Sequence, residues 1–281
     1  MPSLPFRIVN VFTRGGALTG NPLCVFEDGS SLSDETMQAL ARQMNLSETT
    51  FILPSDTATA RVRIFTPFYE MPFAGHPTLG TAHVVRSLRK SGDAVTLEMP
   101  AGIIPVSAVA DRWTLSAHTP RWRAVTETRA ELAAMLGLAA SDLGERPLWV
   151  HAGKEQLLVP LASAEAVHRA RPQTEAFSRV RSEDGHSMAY VFADGGDASG
   201  SVVARFFFAG GSAILEDPAT GSACANLGGW FCATRPATDV RRVVTQGDEI
   251  GRPSALFLAV MAGAVTVGGE VTALGRGEIS L

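Results

Sequence analysis

Two hydrophobic patterns alternate along the chain. In "FRIVNVFT" and "ARVRIFTP" β-branched and aromatic residues take turns with polar ones, the period of a strand. "LCVFED", "TTFILP", "PLWVH", "EQLLVPL", "MAYVFAD" and "SVVARFFF" are further strands by the same reading. In "LSDETMQALARQMN" Met37, Leu40, Ala41 and Met44 fall at helical spacing. Ser33 can cap that helix, and Asp34 and Glu35 set negative charge where its dipole favours it. "TLGTAHVVRSLRK", after "FAGHP", and "SACANLGGWFCAT" are read as helices, with shorter ones over "TRAELAAMLGL", "SAEAVHRA" and "TEAFSRVRSE". "RGGALTGNP" is read as a glycine-rich loop, and the tail beyond Arg241 as strands with glycine turns.

One motif is written twice. "EMPFAGHPTLGTAHVV" from Glu70 overlays "EDPATGSACANLGGWF" from Glu216, about half of the 281-residue chain further on. Glu70 falls on Glu216, Pro72 on Pro218, Gly75 on Gly221 and His76 on Ser222. Each half holds strands, a helix entered through a glycine turn, and more strands, without sustained parallel βαβ alternation. This predicts an α+β fold of two pseudo-symmetric halves, each a curved, mostly antiparallel sheet around a central helix. The expected division is 1–120 and 121–272, near "AHTPRWRAVTETRA", with 273–281 returning to the first half and a ligand site in the cleft between the halves.

Composition changes this picture little. The chain is 46% hydrophobic and 19% charged with net charge −4, ordinary for a globular protein and unsuited to nucleic acid or an anionic membrane. The start lacks the features of a signal peptide, no apolar run has membrane-spanning length, and the three cysteines have no framework spacing. A cytoplasmic protein is expected. The six histidines include no close ligand pair, so no metal is expected, and no Walker loop or dinucleotide fingerprint is present.

The candidate chemistry gathers at the repeated turns. A helix N-terminus offers unpaired N–H groups and partial positive charge, and Gly75 and Gly221 let a ligand approach that backbone. A single such glycine could merely end a loop; two matched ones, each behind Glu-x-Pro, favour an anion grip. His76 and Ser222 can donate hydrogen bonds, and His76 can also move a proton near neutral pH. Asp217 can orient a substrate hydroxyl or amine, or only cap the helix. Glu70 and Glu216 can serve as structural acceptors at the turns. Glu48, between a helix and an apolar strand in "NLSETTFIL", is either a part-buried general acid/base or a solvated turn residue. Asn21 is a loop asparagine or a ligand amide, and Ser47 is a further binding candidate. Cys224 and Cys232, in and near the end of the second copy's helix, read as small core residues, and Cys24 lies in a strand.

"GNPLCVF", "NLSETTF", "RIFTP", "PFAGHPTLGTA", "EDPATGSA", "QGDEIGRPS" and "LGRGEISL", in this order from end to end, resemble the PhzF-like phenazine-biosynthesis isomerase family. The resemblance implies a fold like diaminopimelate epimerase and a cofactor-independent isomerase, commonly a homodimer, acting on a small carboxylated substrate. The family's founding reaction moves a proton within trans-2,3-dihydro-3-hydroxyanthranilate. Glu48 matches the glutamate that takes the proton from one ring carbon and returns it to another. His76, Asp217, Ser222 and Asn21 match pocket residues, and Gly75 and Gly221 the turns whose amides face the substrate carboxylate. Diaminopimelate epimerase uses two cysteines, whose places hold Ala74 and Thr220 here, so two-thiol chemistry is disfavoured. The family's Arg-x-Phe-x-Pro before "EDPATGSA" becomes "ARFFFAGGSAIL", read as glycine in the proline's place with a slip of one residue, so that Phe206–Ala213 could alter specificity. Two alternatives accompany this reading: an epimerase or racemase of an amino or hydroxy acid, for which His76 would be the base opposite Glu48, and a non-catalytic small-molecule-binding protein that retains the cleft.

Overall fold

The computed structural model describes residues 3–195 and 200–281. In chain order its elements are β1 (Ser3–Val11), β2 (Asn21–Phe26), α1 (Asp34–Met44), β3 (Thr49–Leu53), β4 (Ala60–Phe65), β5 (Glu70–Met71), α2 (Gly75–Arg89), β6 (Ala94–Met99), β7 (Gly102–Val109) and β8 (Arg112–Ser116). There follow β9 (Arg121–Ala124), α3 (Arg129–Met135), β10 (Leu148–His151), β11 (Glu155–Pro160), α4 (Ala164–Arg169), α5 (Thr174–Arg179), β12 (Met188–Asp194), β13 (Ser201–Gly210), β14 (Ala213–Asp217), α6 (Gly221–Thr234), β15 (Val240–Gln246), β16 (Ser254–Met261) and β17 (Ala264–Ser280). The chain forms two compact units: one runs through Ser116 and takes up Gly268–Leu281, the other is Ala117–Val267. The chain changes unit a few residues before each of the positions 120 and 272.

In the first unit β1 pairs antiparallel with β2 and with β17, the latter from Ser3↔Ser280 to Val11↔Val271. β2 runs parallel to β3, β3 antiparallel to β4, and β4 antiparallel to β5 but parallel to β6, which turns back into β7 and β8. α2 packs on β1, β2, β3, β6 and β8. It is buried almost continuously from His76 to Val85, as a helix wrapped by strands must be. α1 buries only the stripe Met37, Leu40 and Ala41, its N-terminus held by Ser33, whose hydroxyl accepts the amide of Thr36. Phe26 stacks on Phe51 at 4.9 Å between ring centres, and Phe65 meets Phe51 edge-on at 5.5 Å.

In the second unit β9 pairs antiparallel with β10, and β10 with β11. β11 runs parallel to β12, β12 antiparallel to β13, and β13 antiparallel to β14 but parallel to β15, which turns back into β16. The pairings from β10 to β16 thus follow the order of those from β1 to β7. α6 packs on β9, β10, β11 and β16 and is buried from Ala223 to Phe231. Trp149, Leu157, Val159, Phe177 and Phe207 belong to one apolar cluster here.

Three local expectations are corrected. The first central helix begins at Gly75, not after "FAGHP": Pro77 sits in its first turn, where a missing N–H costs no intrahelical bond. Asn21 and Pro22 open a strand rather than close a loop, Asn21 facing Val11 across the β1–β2 pair. The polar "PRWRA" hides a strand, β9, whose mostly exposed residues tolerate charge.

Candidate active site

Asn21, Ser47, Glu48, Gly75 and His76 lie in the first unit. Glu48 follows the turn that ends α1 and directly precedes β3, and His76 is in the first turn of α2. His76 Nδ1 lies 3.0 Å from Glu48 Oε2. The Glu48 side chain keeps 18% of its surface in solvent and His76 only 5%. Nε2 of this buried imidazole has no hydrogen-bond partner within the protein. α2 also has no side-chain cap: Ala74 occupies the N-cap, and its carbonyl accepts from Thr78 N at 3.1 Å and from the Thr78 hydroxyl at 2.7 Å. Pro77 carries no N–H, so the amides of Gly75 and His76 open the helix. No acidic side chain occupies that turn to neutralise it. Beside this pair the Ser47 hydroxyl donates to Oδ1 of the buried Asn21 at 3.2 Å.

Asp217, Gly221 and Ser222 lie in the second unit. Asp217 ends β14, and Gly221 and Ser222 begin α6. The N-cap of α6 is Thr220, whose own side chain makes no capping bond. The Thr220 hydroxyl donates to Asp217 Oδ2. Buried Gln246 ties the turn together, its Nε2 donating to Asp217 O at 2.8 Å and Thr220 Oγ1 at 3.0 Å. Gly247, at φ 82°, follows it, and a β-carbon there would meet Pro218 O at 2.5 Å and Arg252 O at 2.3 Å. The glycine of "QGDEIGRPS" is what lets this loop lie against "EDP". Ser222 Oγ accepts from Gln156 Nε2 at 3.0 Å.

Glu70 and Glu216 are not free acceptors. Arg63 Nε and Nη2 meet the two Glu70 oxygens at 2.8 and 2.6 Å. Arg205 holds Glu216 the same way at 3.0 and 2.7 Å. Each guanidinium also lies over the phenylalanine two residues on, Arg63 over Phe65 at 5.0 Å and Arg205 over Phe207 at 4.7 Å. This matching corrects the reading of the altered loop. Counted from Arg205 and Phe207, which match Arg63 and Phe65, Ala209 stands where Pro67 stands in the first copy, and four more residues separate Phe207 from Glu216 than Phe65 from Glu70. The reason is local: β13 continues to Gly210, and Ala209 N–H donates to Ser187 O at 3.0 Å, a bond proline could not make.

The reading from sequence missed Gln156, Asn226 and Gln246. Their signal was a lone amide inside an apolar strand or helix, as in "EQLLVPL" and "SACANLGGWF". Burial pushes the Cys24 thiol up to about 12 and the fully buried Cys224 thiol higher still, which disfavours the thiolate at both. Among the described residues, no helix is long and apolar enough to cross a membrane.

The sequence pattern of the phenazine biosynthesis-like protein family, PhzC-PhzF, matches residues 9–277. The trans-2,3-dihydro-3-hydroxyanthranilate isomerase of Pseudomonas aeruginosa is 36% identical over 278 residues, covering 94% of this chain and 95% of that protein. The uncharacterized isomerase PM1503 of Pasteurella multocida is 35% identical over 279 residues, covering 98% of this chain and 93% of that protein. The crystal structure of a PhzF-family phenazine biosynthesis protein from Bacillus anthracis superposes with TM-score 0.88 at 24% identity, over 100% of both chains. The chain therefore belongs to the phenazine biosynthesis-like, PhzF, family, and it is an isomerase.

Proposed function

We propose that this isomerase moves a proton between two carbons of a small, carboxylated, unsaturated ring without a cofactor, with Glu48 as the carrier and trans-2,3-dihydro-3-hydroxyanthranilate as the first substrate to test. The observation that carries the reading is the Glu48–His76 contact of 3.0 Å beside an uncapped helix start, with the second imidazole nitrogen buried and unmet. An ionised carboxylate can only accept, so His76 Nδ1 carries the hydrogen between them. The neutral ring then offers Nε2 as an acceptor, which suits a substrate hydroxyl or amino group. The C–H bond breaks toward Glu48, which becomes a neutral acid. The electron pair spreads into the substrate's own double bond and carboxylate, whose charge the Gly75 and His76 amides stabilise. The new C–H bond forms when Glu48 gives the proton to another ring carbon, so carrier and charge are restored. Asn21 and Ser47 beside this pair, and Asp217, Gly221 and Ser222 in the second unit, are assigned to holding substrate on the family resemblance.

The test is isomerisation of trans-2,3-dihydro-3-hydroxyanthranilate in deuterated water by wild type and Glu48→Gln. Positioned acid/base catalysis is worth about 10²–10⁴ in rate, so the variant should lose at least roughly 10² in kcat with little change in KM. Part of the wild-type product should keep its original hydrogen, since a shielded carboxylic acid exchanges slowly. Near-normal turnover by Glu48→Gln would remove Glu48 as carrier.

A further inference from the structure

The Ser222 side chain is the last member of a buried amide relay whose polarity the backbone dictates. The amide N–H of Ala152 can only donate, so the Asn226 atom 2.7 Å from it is Oδ1. The carbonyl of Lys154 can only accept, so the atom 2.8 Å from it is Asn226 Nδ2. Both backbone groups thus fix the same orientation of Asn226. Its Nδ2 also lies 2.8 Å from Gln156, which makes that atom the acceptor Oε1. Only Nε2 of Gln156 is then left to face Ser222 Oγ, at 3.0 Å. Asn226 and Gln156 are buried, so water does not compete for these bonds. The Ser222 oxygen is therefore occupied as an acceptor from the protein side, and its proton must point elsewhere.

We infer that Gln156, oriented by Asn226, is a positioning residue that turns the Ser222 proton away from the protein interior and so presents Ser222 as a hydrogen-bond donor to the substrate. The inference rests on the reading of Ser222 as a substrate-holding group, and it makes the substrate atom that meets the Ser222 proton an acceptor, such as a carboxylate or hydroxyl oxygen. Free serine hydroxyls rotate and offer either role; this one is committed before substrate arrives, which spares the cost of reorienting it.

The test reverses the relay. In Gln156→Glu the shape stays but the atom facing Ser222 becomes an acceptor, which draws the hydroxyl proton inward. In Gln156→Met the volume stays and the donor is lost without reversal. With trans-2,3-dihydro-3-hydroxyanthranilate as probe, kcat/KM should fall in the order wild type, Gln156→Met, Gln156→Glu, the last by roughly tenfold to 100-fold, as a lost bond to a charged group would give. Adding Gln156→Glu to Ser222→Ala should cost nothing more, since the two act through one hydroxyl. The Gln156 side-chain amide protons, followed by NMR in selectively labelled protein, should move in Ser222→Ala. Equal losses in the two Gln156 variants, additive losses in the double variant, or unmoved amide protons would each overturn the inference. Ser222→Ala with wild-type kcat/KM would instead overturn the role of Ser222 itself, and that failure is told apart because it shows in the single serine variant before Gln156 is touched.

Discussion

The two glycine turns share a frame and differ in what they carry. Both open a helix buried all round, both lack a side-chain cap, and both stand behind an arginine–glutamate pair with the guanidinium over a phenylalanine. At the start of α2 the frame carries a titratable couple, Glu48 with His76, and one unmet buried nitrogen. At the start of α6 it carries hydroxyls and amides whose hydrogen bonds are already committed: Thr220 to Asp217, Gln246 to both, Gln156 to Ser222. In the overlay that pairs Gly75 with Gly221, Asn226 falls opposite Gly80. A β-carbon at Gly80 would strike Leu23 at 2.6 Å and Val11 at 2.9 Å, so α2 meets its strands there by bare contact where α6 does so through a hydrogen-bonded amide. One turn thus presents a titratable couple and the other a set of hydroxyls and amides fixed by one another.

The largest effect separating the turns is expected at their arginines. Arg205 and Glu216 keep only 7% and 10% of their side-chain surface in solvent, and Arg205 Nη1 also donates to Val167 O and Ala170 O at the end of α4. Arg205→Met leaves a buried carboxylate without its partner, which costs about 3–5 kcal/mol. Arg63 is paired with Glu70, one-third exposed, and with the largely exposed Asp34, so Arg63→Met should cost a small fraction of that. Urea unfolding of both variants measures the difference. Equal losses would mean that the two clamps bear the same load.

These pairs mark the limit of what could be read without a structure. The repeat itself was legible because Glu-x-Pro and the glycine lie at fixed spacing along the chain. The clamps were not, because Arg63 and Glu70 meet only through the β4–β5 register, in which Phe65 faces Glu70, and Arg205 and Glu216 through Phe207 facing Glu216. Glu48 and His76 were singled out separately, by position and by family likeness; that they touch is information only the fold contains. Helix existence was clear from long apolar runs, but the start of α2 was misplaced because proline was read as a boundary rather than as a first-turn residue. Gln156 and Asn226 went unread because a single amide in an apolar segment looks the same whether it faces solvent or another amide.

A smaller effect is expected one turn into each helix. Asn226→Ala strips partners from Ala152 N, Lys154 O and Gln156, all bonded to it in a buried position. Leaving buried polar groups unpaired costs about 1–3 kcal/mol. Gly80→Ala introduces a methyl where Leu23 and Val11 must yield, a cost of overpacking about 1–3 kcal/mol, offset by the roughly 1 kcal/mol that alanine gains over glycine in a helix. The net loss for Gly80→Ala should be the smaller of the two, again by urea unfolding. The reverse order would mean that close contact in the first helix matters more than the amide relay in the second.

The smallest effect, none, is expected from thiol modification, and it tests whether either turn works through sulfur. The residues just before the two glycines are Ala74 and Thr220, neither of which can act as a thiolate. Cys24 in β2 and Cys224 in α6 are wholly buried, and burial holds both thiols protonated far above neutral pH. Since the thiolate is the reactive form, alkylation of the folded protein should spare both. Cys232, near the end of α6 and only partly buried, is also pushed up by burial and should react slowly. Iodoacetamide at neutral pH, followed by peptide mass mapping and by turnover of trans-2,3-dihydro-3-hydroxyanthranilate, should find label confined to Cys232 and activity kept. Loss of activity in step with labelling of Cys24 or Cys224 would put a thiol at the reacting carbon and overturn the proposal that one turn moves a proton and the other holds the substrate.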